Sequence, residues 1–442
     1  MIRKRLRWRL LVSVGLLALV VGACGGDGAG DATTAAPDTS AAPGATDAPE
    51  PADTTEAPDT TEAETGDTGE ASGEPIKIGM LTDMSVTFTQ WGVNVRDGML
   101  LAAEEINAAG GVDGRMIEIV QQDSENDAEV GVQAFERLAE EGVVAVGGIV
   151  SSGVAAPVAP VAEELQIPTF LVKAGTEAAL TRDSRFMFRT CLPAAPMTAP
   201  PLLQYAQEGG ITNVGVIIAD YPWGQSFRAA VEQTFEGSGV DYGEIQVSPV
   251  PPDTDFTPYV RAVADAGAEL LIATGHPPGN APIVALAADL IPDVIVTGAW
   301  IPPDLAVGSL AETAIGRYAD FSCVDYTGDE YAELARRYLE FSDNAFMSDD
   351  AVAAYGIVQM VADAVANVGD DPVAIAEYLH GQTYDLEGYA HPMSWTEWGE
   401  LAESQPVFTV ISEGPAPEGL NEAGDWWFEK LSQSEPLEPY EP

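Results

Sequence analysis

Across 442 residues the chain carries 70 acidic side chains against 19 basic ones, a formal net charge of −51. That balance excludes nucleic acid as a partner, because phosphate contacts need Lys and Arg. Three cysteines without a CxxC spacing, and only His276, His380 and His391 beside them, give no basis for a zinc site.

The first residues hold Arg3, Lys4, Arg5, Arg7 and Arg9 and no acid, followed by an apolar run from Leu10 to Val21. A basic start, a short apolar segment and small residues describe a secretory signal over residues 1–23, too short for a membrane span. The stretch Val21-Gly22-Ala23-Cys24 resembles a bacterial lipobox, which implies that Cys24 receives a lipid and becomes the new amino terminus. The alternative is an ordinary signal with an incidental cysteine. No later stretch is expected to be long and apolar enough to cross a bilayer. Removing the five basic residues of the signal leaves −56, which suits solubility in a salty exterior. Residues 25–74 contain neither a basic nor an aromatic side chain and are rich in Ala, Thr, Pro, Gly, Asp and Glu. Such a segment cannot bury enough apolar surface to order itself, so residues 24–74 are expected to be a lipidated, disordered acidic tether.

From Pro75 onward strands and helices alternate. Strands are expected at 76–80, 117–121, 143–147 and 167–172, with helices at 91–109, 128–141 and 152–165. Gly110-Gly111 ends the first of these helices. The pattern restarts with helix 195–208, strand 214–219, helix 223–238 and strand 243–247. Thr257 then caps a helix with Pro258 at its first position, and Gly267 closes it. Strands at 270–274, 294–297 and 316–320 and a helix at 280–291 follow. Three more helices are expected at 330–344, 349–368 and 372–381. Continuous apolar strands between amphipathic helices mean an α/β chain with two doubly wound parallel-sheet lobes. The first unit is incomplete at Val172 and can be finished by the later helices. In such sheets ligands sit outside the carboxyl ends of the strands, where strand order reverses.

The segments IKIGMLTDMS (76–85), AAEEINAAGGVDGR (102–115), VVAVGGIVSSG (143–153), IPTFLVKAGTEAALT (167–181), FMFRT (186–190), YPWGQSF (221–227) and SWTEWGEL (394–401) together resemble type I periplasmic binding proteins. The resemblance is to the subfamily that binds leucine, isoleucine and valine for an ABC importer, and it runs from about Pro75 to Ser412. It implies a hinge of three crossovers, near Thr190–Pro193, Phe321–Asp325 and Glu387–His391. The lobes would then be 75–192 plus 324–388, and 193–323 plus 389–442.

The resemblance also implies a ligand site. Val150, Ser151 and Ser152 lie at one strand-to-helix turn, and Ala174, Gly175 and Thr176 at the next. Free N–H groups and hydroxyls there would hold a carboxylate, unless the hydroxyls of Ser151 and Thr176 only cap their helices. Trp91 and Trp223, each followed by glycine, and His276 are the aromatic candidates. Where the amino-acid binders place an acid for the ligand ammonium, this chain has Trp300. Asp220, Asp349 or Asp350 could substitute, Asp350 from the better place. If none does, the ligand has no ammonium group, as in an aromatic or branched acid or an amide. Lys173, one of four lysines, is either an exposed side chain or a group facing an anionic ligand. Cys191 and Cys323 each lie near an implied crossover and are expected to pair.

No nucleophile elbow, phosphate loop, HExxH or dinucleotide fingerprint is present, so the reading is a binder and not an enzyme, with no cofactor. The implied partners are a small-molecule ligand, ABC permease and ATPase subunits, and the membrane through Cys24; the chain is expected to be a monomer. A ligand-sensing module that presents its ligand to a receptor is the alternative, since fold alone does not separate the two.

Overall fold

A computed structural model describes residues 73–251, 254–274, 280–297, 313–421 and 424–442. Cys24, His276, Trp300 and nearly all of the expected signal and tether lie outside the described residues.

The first sheet is parallel throughout, in the order β2-β1-β3-β4-β5. Its strands are β1 (Ile76–Thr82), β2 (Ile117–Asp123), β3 (Ala145–Ile149), β4 (Thr169–Leu171) and β5 (Met187–Arg189). Strands β1, β3 and β4 are almost wholly buried, as required of a sheet covered on both faces. Helices α1 (Thr89–Ala108), α2 (Ala128–Glu140) and α3 (Ser152–Leu165) are its crossovers. Asp127 starts α2 by accepting N–H bonds from Glu129 and Val130.

The second sheet has the order β7-β6-β8-β9, again parallel, from β6 (Val214–Ala219), β7 (Gln246–Ser248), β8 (Leu270–Thr274) and β9 (Ile295–Thr297). It is served by α4 (Ala195–Glu208), α5 (Pro222–Phe235), α6 (Thr257–Asp265) and α7 (Asn280–Leu290). Thr257 does not cap α6: it is the first helical residue, and the Asp255 carboxylate accepts its N–H at 2.9 Å.

The chain then returns to the first lobe. After β10 (Ala319–Ser322) come α8 (Asp329–Phe341), α9 (Asp349–Val368) and α10 (Pro372–His380). Helix α9 packs along α1 and against β3, so it completes the unit left open at Val172. The approach is close: a Cβ on Gly98 of α1 would collide with the Ala351 carbonyl. Contrary to expectation, α9 is long and apolar enough to cross a membrane, but most of it is buried inside the fold, as in the core helix of a soluble domain.

One part of the architecture departs from two purely parallel sheets. Strand β10 pairs antiparallel with β13 (Val407–Glu413), which pairs antiparallel with β14 (Trp426–Gln433). A bridge from Val296 to Tyr318 joins this sheet to β9. Strand–helix alternation cannot reveal such strands, because β13 and β14 enclose no helix. A short ladder of β11 (Thr383–Tyr384) and β12 (Met393–Ser394) lies before them.

The connecting segments meet side by side. Cys191 and Cys323 form a disulfide. Val324 bridges Tyr389, and Ala390 N–H donates to the Cys323 carbonyl at 2.8 Å. The disulfide closes 132 residues of sequence separation, so it removes a large loop entropy from the unfolded chain. Replacing both cysteines by serine is expected to cost about 2–5 kcal/mol. Urea unfolding of the variant against the wild type measures this, and equal midpoints would show that the bond contributes nothing.

Candidate functional site

Two turns at the carboxyl edge of the first sheet form the base of the site. Ser151, the residue before α3, and Ser152 follow β3, while Ala174, Gly175 and Thr176 follow β4. All five are buried, as is Val150. Ser151 does not cap α3: its hydroxyl donates to Asn126 Oδ1 at 2.6 Å. The start of α3 is therefore without a side-chain cap, and its Val154 N–H turns back to the Ser151 carbonyl at 3.1 Å. Ser152 Oγ accepts the Thr176 N–H at 3.3 Å, which ties the two turns together.

Arg189 fixes the second turn. Its guanidinium donates to the carbonyls of Ala174 and, at 2.7 Å, of Thr176, while Nε pairs with Glu400 Oε2 at 2.9 Å. Both side chains are fully buried. Glu400 Oε1 in turn accepts N–H bonds from Ala194 and Leu401. Burial pushes the Glu400 carboxyl up, and Arg189 and the two amides pull against that shift. With the Ala174 and Thr176 carbonyls held by Arg189 and the Thr176 N–H by Ser152, the turn carries its Thr176 hydroxyl toward Ser226.

The second lobe covers this surface. Trp223, on the first turn of α5, lies so close to Gly175 that a Cβ there would overlap its ring. Its indole N–H donates to Thr274 Oγ1 at 3.1 Å. Thr176 Oγ1 lies 3.2 Å from Ser226 Oγ, again across the seam. Phe88 meets Tyr221 with ring centroids 6.0 Å apart, and Trp91 stacks on Phe88 at 5.1 Å and 2°. Trp91 is buried, and its indole N–H has no hydrogen-bond partner among the described residues. The buried Asp83 carboxylate holds the loop before α1 by accepting N–H bonds from Ser85, Val86 and Phe88.

Lys173 is not exposed. Its side chain is 1% accessible, with Nζ at 2.9 and 3.0 Å from the two Asp349 oxygens and 3.1 Å from Asp350 Oδ1. The ammonium also lies over the Trp91 ring, 5.2 Å from its centroid. Burial alone would push the lysine down, but the two aspartates outweigh it and hold the group above its ordinary value. Asp350, expected to await a ligand, is therefore already paired inside the protein. Burial raises it to about 7. Asp320, on β10, is raised to about 8 by burial and by the neighbouring Asp349, with Lys173 pulling the other way. Asp220 accepts from Gln225 and is exposed.

The structure thus brings Trp91, Val150, Ser151, Ser152, Ala174, Gly175, Thr176 and Trp223 to one seam, with Asp350 in the charge cluster behind Trp91 through Lys173. Sequence reasoning missed Arg189, Glu400, Asn126, Phe88 and Ser226. Arg189 and Glu400 are separated by 211 positions, and nothing local to either marks the pair. Among the described residues no group of His, Cys, Asp and Glu is arranged to hold a metal ion.

The sequence profile of the periplasmic binding proteins matches residues 75–414. The chain belongs to that family, one of solute-binding proteins. It is 24% identical over 342 residues to Leu/Ile/Val-binding protein homolog 3 of Brucella melitensis, covering 76% of this chain and 90% of the relative. It is also 24% identical to the leucine-, isoleucine-, valine-, threonine- and alanine-binding protein of Pseudomonas aeruginosa, covering 71% and 84%. Among solved structures, a solute-binding protein of an ABC transporter from R. palustris in complex with benzoate superposes with a TM-score of 0.70 at 17% identity, over 83% of this chain and 98% of that one. The closed leucine-, isoleucine-, valine-, threonine- and alanine-binding protein of Brucella ovis gives 0.71 at 17% identity, over 82% and 95%. At these identities the superpositions establish the two-lobed fold.

Two outcomes follow from the buried charges. Arg189→Met strands Glu400 and is expected to cost about 3–5 kcal/mol, of which Arg189→Met with Glu400→Leu recovers most. Urea unfolding tests both variants; equal stability of all three proteins would remove the pair from this account. Asp320 and Asp350 have folded values above their unfolded ones near 3.9, so the folded state binds the extra protons. Their contribution is fully present in acid and is lost as pH rises through about 7 and about 8. The melting temperature should therefore fall between pH 5 and pH 9 (roughly the range set by these shifts), and Asp320→Asn should flatten the slope.

Proposed function

We propose that this chain is the extracytoplasmic solute-binding lipoprotein of an ABC importer, which closes on a small organic carboxylate and delivers it to the permease. Cys24 is the anchor in this reading, residues 24–74 the tether, and the ATPase subunits supply the energy. The protein works as a monomer without a cofactor. Residues 75–192 with 324–388 form the lobe that binds first, and 193–323 with 389–442 the lobe that closes.

The supporting observation is the seam itself. Amide-rich turns with hydroxyls on one lobe lie directly under Trp223 and Ser226 of the other. Such turns bind a carboxylate through aligned N–H dipoles without a full positive charge. The named ligands of the relatives and structural neighbours, from leucine and isoleucine to benzoate, share little except a carboxylate. In the proposed cycle the ligand shifts the population toward the closed form through contacts that only the closed form makes.

A thermal-shift screen of the purified protein against small carboxylates tests the reading. A ligand at 100 times its Kd stabilises by about 2.7 kcal/mol. Trp223→Ala is expected to weaken binding about tenfold or more, a loss of roughly 1.4 kcal/mol or more. Stabilisation by no carboxylate at all, with the protein folded, would sink the proposal.

A further inference from the structure

An amino-acid ligand brings a carboxylate and an ammonium, and a buried ammonium needs several oxygen acceptors because its desolvation is otherwise uncompensated. The surroundings of Lys173 Nζ supply such a site. Three carboxylate oxygens lie within 3.1 Å of it and the face of Trp91 lies 5.2 Å away. Trp91 stacks on Phe88, which meets Tyr221 of the opposite lobe, so the lysine head lies one aromatic ring behind the seam. The residue is also next in sequence to the 174–176 turn.

The other described acids near the seam are committed as well. Asp83 accepts three backbone N–H bonds, Asp123 those of Met84 and Glu125, and Asp220 the Gln225 amide. The second oxygen of Asp350 takes the Ser348 hydroxyl, and Ser348 takes the Asn94 amide. The Ser322 hydroxyl adds a further bond to Asp349. Asp320 is the exception: burial and the neighbouring Asp349 push its carboxyl up to about 8, which weakens it as a counter-charge.

We infer that Lys173 is a specificity-determining residue: its ammonium fills from within the protein the place that a ligand ammonium would need, so the cleft selects carboxylates that lack one. The inference rests on the carboxylate reading above and narrows its ligand class to aromatic or branched aliphatic acids. It is a device of exclusion. The oxygens and the aromatic face that would reward an amino group are saturated before any ligand arrives, and a second ammonium would meet a lysine of the same charge.

Calorimetric titration of the purified protein with matched pairs decides the matter: 3-phenylpropanoate against phenylalanine, and 4-methylpentanoate against leucine. Within each pair only the ammonium differs. The expected result is that the deaminated acid of at least one pair binds about tenfold or more tightly than its amino acid. An amino acid that binds as well as its partner overturns the inference and leaves the carboxylate reading standing. Binding by none of the four, and by no other carboxylate in the thermal screen, overturns the carboxylate reading and this inference with it. Lys173→Met should then move the preference toward the amino acid. Because that variant leaves two buried carboxylates opposed, Lys173→Met with Asp350→Asn serves as the charge-balanced partner, Asp349 being left for the ligand. A folded variant of either kind with the wild-type preference overturns the role given to Lys173.

Discussion

The geometry of the candidate site depends on one buried ion pair. Arg189 leaves the end of β5 and reaches back to the carbonyls of Ala174 and Thr176, while Glu400 neutralises it from a segment more than two hundred residues away. A buried turn needs partners for its carbonyls, because each one left unpaired costs free energy. A guanidinium supplies them for two carbonyls at once because its donors are planar and fixed. The charge this brings into the interior is costly, and Glu400 offsets it only because its own second oxygen is bonded to Ala194 and Leu401. The same pair ties the end of the first sheet to the segment leading into β13, and so links the binding turn to the return of the chain.

A chain with 19 basic residues has few cations to distribute, and two of them are fully buried beside the site. Neither Lys173 nor Arg189 is spent on the surface. Both are spent on shaping the turn between them, Lys173 by fixing its start against α9 and Arg189 by holding its carbonyls. Long-range electrostatics cannot draw an anion toward a molecule of this net charge. Screening confines the surface repulsion to about 8–10 Å at ordinary salt. Attraction is then left to dipoles that act over a few ångströms, which is what helix starts and hydroxyls provide.

Much of this was accessible from the sequence. Hydrophobic period and glycine stops placed most of the parallel strands and their helices, because each of those features is local. The two strand-to-helix turns and Trp223 could be singled out because motifs of the family carry them. Other features were not local. The antiparallel strands β13 and β14 are joined by a connection with no periodic pattern, and they follow helices that suggested continued alternation. Lys173 was misplaced for an instructive reason. A lysine in isolation is nearly always exposed, and only the fold brings Asp349 and Asp350 to it across 176 residues of sequence. Asp350 was correctly placed at a helix start but wrongly left free, since helix starts welcome acids whether or not anything binds there.

The tightness of the seam bears on how such a site can discriminate. At Gly175 there is no space for a Cβ beneath Trp223, so closure there is limited by van der Waals contact rather than by an open gap. A closed form built this way gains little from ligand bulk at that point and much from what the ligand does to the polar groups left over. Those groups are the Thr176 hydroxyl beside Ser226 and the indole N–H of Trp91, which has no partner among the described residues. Both can donate, whereas Asp349 and Asp350 are already engaged by Lys173 and burial pushes the Asp320 carboxyl up. A buried donor without an acceptor costs about 1–3 kcal/mol. A ligand rich in acceptors relieves that cost on closing, and one that adds donors does not. On the proposed reading, the selectivity of the closed state follows the sign of the polar groups the protein leaves unmet, with Lys173 consuming the acceptors first.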